Sequence, residues 1–542
     1  MDEKKIALII YGDNSGEAIK SAERLSAPDG YSVEIIPAAG ENKAEVLNAA
    51  MKNSDAKFKI YADEKISFKQ NNLLTDVIRI FKSDEKIGVI GTSGAIRLST
   101  HGDCFTSVKR CGKILSGKKK DLTDWGNVEK NFCEVEAADG FFLATQHDIS
   151  RREDICRKSS FGDTSLCLEF RRQGYKIVVV RQKKAWLELR EKNFAIDETE
   201  QPEFLSEYSG EIFPLVSVII PTFNRPEWFK IALDSVLNQT YKNFEIVVVD
   251  NGTDDKTEIL MKDYLEKYSC IKYFRKPGFN ANENWNFARQ YNNPDAEFVN
   301  WLMDDDYFYP KKFEKMVEVM RNNPDVSMVS SKRHVVDENG KIKELFPPST
   351  INPQWDEILF KTGKIKGEIA GRAMFATGKN FIGEPTTALL RKKFLRDNDL
   401  CRCDDEEGFF PLIDISTWLQ LLSQGNLYWI AEPLSAFRQH KKQASNWGES
   451  NVIFAICWAK LYQTEWREKF FIKSTDELRQ IIANWIGHSA KKLLESYELH
   501  LVGEGITTLE KTLEAMARAL HNGYKIELPP RIYEKRDDIK NF

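Results

Sequence analysis

Two periods alternate along roughly the first 440 residues: short apolar runs, and longer stretches in which apolar positions recur every three to four residues. The runs Ile6–Ile10, Lys57–Tyr61, Ile87–Ile90, Lys176–Val180, Val216–Ile220, Glu245–Val249 and Val299–Met303 predict strands. Several lack polar alternation, as a sheet covered on both faces requires. Stretches such as Asn72–Phe81 and Pro226–Asn238 predict the helices between them. This is the βαβ rhythm of a mainly parallel sheet, so the fold class is α/β. Residues 196–213 are acidic and poor in periodicity, and a fresh strand begins after Pro214, which predicts a linker between domains at 1–195 and 214–447. From Asn451 to about His521 the spacing stays helical with few turn signals, which predicts a C-terminal helical domain over 448–542.

The chain also repeats itself. Glu45-Val-Leu-Asn48-Ala-Ala50 followed by Asp55-Ala-Lys-Phe58 returns as Glu283-Asn-Trp-Asn286-Phe-Ala288 followed by Asp295-Ala-Glu-Phe298. Each copy leads into a strand that ends in acidic residues. Asp163-Thr-Ser165 precedes a helix-like stretch and Gly174, and Asp414-Ile-Ser416 precedes another and Gly425, eleven positions from Asp to Gly in both. Shared spacing at two sites in the same order implies two copies of one domain type.

Composition excludes several function classes. The 542 residues suit about three to five domains at roughly 100–200 residues each. Lys plus Arg total 78 against 82 Asp plus Glu, a formal net charge of -4, so there is no electrostatic footprint for duplex nucleic acid. No run approaches the ~18 apolar residues of a membrane span, and the apolar run after Lys5 is too short for a signal-peptide core, which predicts a cytoplasmic protein. Nine cysteines form no C-x-x-C pair; Cys401 and Cys403 are the closest neighbours, and the set reads as reduced thiols. The glycines of Gly88-Val-Ile-Gly91-Thr-Ser-Gly94 do not have dinucleotide-binding spacing, and Lys118–Lys120 read as a solvated loop.

Candidate chemistry gathers at strand ends in the second copy. Val216-Ser-Val-Ile-Ile-Pro221-Thr222-Phe-Asn224-Arg225 is a buried strand that breaks into polar donors, at the sheet edge where open α/β sheets bind ligands. The next strand ends in Asp250-Asn-Gly-Thr-Asp-Asp255, a carboxylate beside that first loop. The strand at Asn300 runs into Asp304-Asp305-Asp306 and then Pro310. In an extended chain Asp304 and Asp306 face one side. Three adjacent carboxylates favour a counter-cation, and oxygen ligands suit Mg²⁺ or Mn²⁺ bound together with substrate phosphates.

These segments, with the Asn-rich stretch Asn280–Ala288, resemble the inverting glycosyltransferases of family 2, which have the GT-A fold, over roughly residues 214–445. The resemblance implies a nucleotide-diphospho-sugar donor, with Pro221, Thr222, Asn224 and Arg225 near the nucleotide, Asp250 at the base, and Asn284, Asp304 and Asp305 also on the donor. It makes Asp304 and Asp306 the DxD motif, with both in the metal set and Asp306, the last Asp, holding the divalent ion on the diphosphate. Arg438-Gln-His440 resembles the late diphosphate-side contacts, which adds His440 to the metal set. Asp414 corresponds to the general base; its preceding residue is Ile413 where the family carries Glu. Glu384, in Phe381-Ile-Gly-Glu384-Pro-Thr-Thr387, is the rival base.

Residues 1–190 resemble a different branch of GT-A-like glycosyltransferases through Asn48–Met51, Asp55–Asp63, Asp139-Gly-Phe-Phe142 and Asp163. Here Asp63-Glu64-Lys65 stands where the acidic triplet stands in the other copy, with Asp63 and Asp139 as donor-site candidates and Asp163 as a base. Two readings stay open, two active sites acting in alternation or one live site beside a degenerate, acceptor-binding copy. Beside both stands a non-catalytic carbohydrate- or nucleotide-binding protein. The expected function is metal-dependent, inverting sugar transfer to a hydroxyl of a surface glycan, a polysaccharide or a glycoprotein.

Overall fold

In the computed structural model of the chain, Leu215–Thr222 pairs in parallel with Phe244–Asp250 on one side and Ala296–Trp301 on the other. Val216, Val218, Ile219 and Ile220 are all buried, so both faces of this strand are covered and no polar alternation survives in its sequence. The sheet runs in the order Ile271–Arg275, Phe244–Asp250, Leu215–Thr222, Ala296–Trp301, Leu389–Arg391, Val326–Val336, Asn426–Arg438, Tyr307–Phe308. Leu389–Arg391 lies antiparallel to both its neighbours. Register places Thr222 opposite Asp250 and Asp250 opposite Arg275, which lines polar groups along one carboxyl edge.

The first copy repeats this plan. Its seven-stranded sheet runs Ser32–Ala38, Asp2–Tyr11, Ala56–Asp63, Phe142–Thr145, Ile87–Gly91, Lys176–Val180, Phe132–Val135. Phe142–Thr145 is the antiparallel insert between two parallel groups, as Leu389–Arg391 is in the second copy. A smaller sheet carries Ala137–Ala138, which delivers Asp139. The fold is thus two tandem GT-A-like α/β domains followed by helices.

The structure describes residues 1–116, 121–126, 128–157, 160–190, 198–279, 293–346, 361–395, 412–441, 450–498 and 503–522, together with 283, 284, 287, 288, 526 and 528. Cys401, Cys403 and Lys118–Lys120 lie outside them, as does most of the Asn-rich stretch. By internal packing the chain divides into two units, Met1–Phe213 and Pro214–Phe542. The seven cysteines among the described residues are free thiols.

Two segments differ from expectation. The stretch expected as a linker is a helix over Gln201–Ile212, with Pro202 in its first turn and Phe204, Leu205, Tyr208 and Ile212 buried. Those four apolar residues form a helical stripe that the surrounding carboxylates mask in the sequence. The Tyr208 hydroxyl lies 2.7 Å from Ser165 Oγ and donates to Glu169 at 2.6 Å, which ties the helix into the first unit. The C-terminal helices Ser450–Glu468, Thr475–Glu498 and Glu504–Asn522, expected as a domain of their own, share a continuous core with the second unit. Phe375 meets Trp458, Tyr462 and Phe471 at ring distances of 6.3, 5.6 and 5.9 Å. Gly371 is fixed by the same contact, since a Cβ there would stand 2.2 Å from the Phe471 ring. Among the described residues, no helix is long and apolar enough to cross a membrane.

Because the tail packs on the helix Gly367–Thr377 through this aromatic seam, Phe375→Ala is expected to destabilise the second unit by about 3–5 kcal/mol. Thermal unfolding followed by tryptophan fluorescence checks this; an unchanged transition would show that the tail does not support the sheet.

Candidate active site

The first strand of the second unit ends at Thr222, and the turn that follows is held by Asn224, whose φ of 52° lies in the left-handed region. Asparagine tolerates that conformation better than most residues. Its side chain clasps the neighbouring loop: Oδ1 accepts from Thr253 N at 2.8 Å and Nδ2 donates to Thr253 Oγ1 at 2.9 Å. Asp250 is fully buried and accepts from Gly252 N at 2.7 Å and from the Tyr273 hydroxyl at 2.7 Å. Asn284 Nδ2 donates to Val249 O at 3.1 Å, so this side chain braces the Asp250 strand. Pro221 sits within the strand, opposite Val249.

The acidic triplet has a different geometry from the expected one. The strand stops at Trp301, and Asp306 N donates to Met303 O at 3.1 Å, which folds the acids into a turn. Asp304 and Asp306 therefore do not share one face of an extended strand. Asp304 Oδ2 accepts from Thr222 Oγ1 at 3.0 Å and Phe223 N at 3.2 Å. Asp306 Oδ2 accepts from Thr386 Oγ1 at 2.7 Å and Oδ1 from Arg438 N at 2.9 Å. Asp305 lies 2.8 Å from His440 Nε2 through Oδ2, and Arg225 Nη1 bridges that same oxygen and Asp304 Oδ1 at 3.0 Å each. Arg438 spans the turn from behind, with Nε on Asp305 O at 2.8 Å and Nη1 on Glu338 O at 2.9 Å. Burial pushes the Asp304 carboxyl up to about 6 against the pull of Arg225. Burial, with Asp305 and Glu384 nearby, raises Asp306 far above the ordinary carboxylate range. Among the described residues, no three His, Cys, Asp or Glu side chains converge as a ready-made ion site.

Asp414 opens the helix Ile413–Leu422 and is half-buried. It accepts from Ile415 N at 2.8 Å and from Asn380 Nδ2 at 2.7 Å. Burial pushes its carboxyl up to about 6, with the charge of Glu384 adding to the rise. Asn380 also bonds Gly383 in both directions, at 2.9 and 3.0 Å, and so joins Asp414 to the Glu384 turn. Gly383 has φ 113°, and a Cβ would stand 2.5 Å from Thr387 Oγ1, so only glycine fits. Glu384 faces Arg333, with Nε 2.6 Å from Oε1 and both side chains mostly buried.

In the first unit the corresponding carboxylate is in other company. Asp163 Oδ2 meets Lys43 Nζ at 2.7 Å and Oδ1 meets Arg151 Nη2 at 3.0 Å. Burial alone would raise its carboxyl, but Lys43 and Arg151 hold it below the usual range. Asp139 accepts from Ser93 Oγ and, at 3.3 Å, from Phe141 N, and burial pushes it up to about 6. Asp63 accepts from Lys65 N at 2.8 Å, and Glu64 accepts from Asn14 N.

Several site residues carry no sequence signal of their own. Asn380, Arg333, Lys312 and Tyr273 reach the site from loops, strands and a helix that no motif marks. Thr386 falls inside the quoted Glu384 segment, and its role comes from facing Asp306 across the sheet.

Comparison with known proteins agrees with this partition. Residues 217–397 match the model of glycosyl transferase family 2, and residues 8–208 match that of a glycosyltransferase-like family. An uncharacterized glycosyltransferase of Rickettsia typhi is 40% identical over 115 residues, 21% of this chain; the chain spans 35% of that relative's length. A crystal structure of Staphylococcus aureus TarS 1–349 in complex with UDP-GlcNAc is similar at 16% identity and a TM-score of 0.34, covering 56% of this chain and 92% of that one. The mannosyltransferase PcManGT of Pyrobaculum calidifontis, in complex with GDP-Man and Mn²⁺, is similar at 16% identity and a TM-score of 0.34, covering 58% and 89%. Each unit thus carries a glycosyltransferase family match of its own, residues 8–208 in the first and residues 217–397 in the second.

Proposed function

We propose that the second unit is a cytoplasmic, metal-dependent, inverting glycosyltransferase that moves a sugar from a nucleotide-diphosphate donor to a hydroxyl of a surface glycan, a polysaccharide or a glycoprotein. The observation that carries this reading is the convergence on Asp305, where a carboxylate oxygen and the His440 imidazole stand 2.8 Å apart at the carboxyl edge of the sheet. A carboxylate oxygen suits Mn²⁺, a neutral imidazole nitrogen is a common metal ligand, and two protein ligands leave positions for diphosphate oxygens. Asp305 and His440 are thus the residues that would hold the ion. Asp306, expected as a ligand, is engaged by Thr386 and Arg438 N and supports the turn instead. When bound, the ion stabilises charge developing on the leaving diphosphate. The loop clasped by Asn224 and the floor around Asp250 form the nucleotide side of the same edge.

Asp414 is the general base in this reading. With its carboxyl at about 6 it is ionised at neutral pH and close enough to working pH to accept a proton efficiently. The acceptor oxygen attacks the anomeric carbon, the bond to the diphosphate oxygen breaks, and the hydroxyl proton goes to Asp414. One base and no enzyme nucleophile means a single displacement with inversion. Glu384 is a weaker candidate because its charge is engaged by Arg333.

A general base works ionised, so transfer should fall as pH drops through about 6, and the acid limb should vanish with the activity in Asp414→Asn. A pH–rate profile measures it; an Asp414→Asn variant with the wild-type limb would remove Asp414 from the mechanism. Asp305→Asn and His440→Gln should each abolish the Mn²⁺-dependent part of a nucleoside-diphosphate thermal shift, whereas loss in neither would move the ion elsewhere.

The first unit's Asp163 is held between two cations, which favours a single-site enzyme over two alternating sites. Asp163→Asn is therefore expected to leave transfer by the second unit intact. It should destabilise the first unit by about 3–5 kcal/mol, because Lys43 and Arg151 would lose their buried counter-charge. Loss of one of two product linkages at unchanged stability would establish the two-site reading.

A further inference from the structure

The charge balance around Asp305 assigns Arg225 a role beyond nucleotide contact. Arg225 Nη1 lies 3.0 Å from Asp304 Oδ1 and 3.0 Å from Asp305 Oδ2. Asp305 Oδ2 is also the oxygen that faces His440 Nε2 at 2.8 Å. An ion held by Asp305 and His440 would thus occupy the place where the guanidinium now neutralises the two carboxylates. We propose that Arg225 is a built-in stand-in for the divalent cation: it closes the acidic site, competes with the metal for Asp305, and moves onto the diphosphate when ion and donor bind together.

Asp305's two side-chain partners differ in their freedom to leave. The His440 side chain is 1% exposed, and its ring packs on Trp228 with centroids 4.5 Å apart. The Arg225 side chain is 29% exposed. It projects from the residue before the helix Pro226–Leu237, directly after the left-handed Asn224. Asp304 keeps Thr222 Oγ1 and Phe223 N when the guanidinium departs, so one carboxylate stays satisfied. The freed cation then needs an anion, and a diphosphate on the ion supplies one within reach of the same loop. Metal alone must displace Arg225 without that compensation. The two ligands therefore bind synergistically, and the energy of that coupling passes through one side chain.

This inference rests on the Asp305–His440 metal reading, and the experiment separates the two. Mn²⁺ binding is followed by electron paramagnetic resonance on the full chain, alone and with inorganic pyrophosphate as the diphosphate probe, for wild type, Arg225→Gln, Arg225→Lys and Asp305→Asn. For wild type, pyrophosphate should tighten Mn²⁺ binding by roughly tenfold or more. Arg225→Gln should bind Mn²⁺ alone by about that factor more tightly than wild type and lose most of the pyrophosphate effect. Arg225→Lys keeps the charge and should stay close to wild type. Equal or weaker Mn²⁺ binding by Arg225→Gln, with Asp305→Asn abolishing it, overturns the stand-in role and leaves the metal site in place. Mn²⁺ binding that Asp305→Asn does not reduce, or none in any variant, overturns both.

Discussion

Three carboxylates in consecutive positions, each less than a tenth exposed, set the constraint that organises the second unit. Like charges about 4 Å apart repel by about 4 kcal/mol per pair at the effective dielectric of a protein surface, so the triplet exists only where other groups balance it or where burial favours the neutral acid, as at Asp306. Each acid is balanced by a different part of the chain: Asp304 by the loop after the first strand, Asp305 by His440 and Arg225, Asp306 by Thr386 and the last long strand. The turn at Met303–Asp306 makes this distribution feasible, because an extended strand would alternate the acids across two faces and leave none for a third direction. The acidic turn is thus where the first loop, the Glu384 turn and the final strand meet.

The two copies show how partners decide what one carboxylate can do. Asp163 and Asp414 both stand in the first turn of a helix that leads to a parallel strand. Asp163 reaches past a glycine, since a Cβ at Gly140 would stand 1.8 Å from its Oδ2, and it meets two cations. Asp414 meets the neutral amide of Asn380. The cations hold the first carboxyl down; burial beside an amide pushes the second up to about 6. Topology is repeated while electrostatics diverge: of this pair, Asp414 is the carboxyl raised toward neutral pH and Asp163 the one held down.

Much of the fold was legible because the strands are covered on both faces and read as plain apolar runs. The tandem organisation was legible because both copies keep the same spacing around their acidic strand ends. The helix at Gln201–Ile212 was not, because its acidic residues hide a stripe of four apolar ones. The joint core of tail and second unit was not, since helical spacing shows that a face is buried and not what covers it. In the site, residues at strand ends were legible from sequence, whereas the orientation of the acidic triplet depends on a turn with no glycine or proline to announce it. Asn380 and Arg333 act through tertiary contacts that no local pattern encodes.

Glu384, the rival base, stands in a different balance of charges from Asp414. Arg333 faces it at 2.6 Å, and Lys312, fully buried and pushed down to about 7 by that burial, donates to Thr387 O at 2.8 Å in the same turn. Burial raises the Glu384 carboxyl, and Arg333 opposes that rise. Protonating it would leave Arg333 without a buried counter-charge, a cost that a proton-transfer role would incur in every cycle. The charge still acts at a distance, since it raises both Asp414 and Asp306. Glu384 thus contributes to the raised Asp414 carboxyl, while its turn presents Thr386 to Asp306.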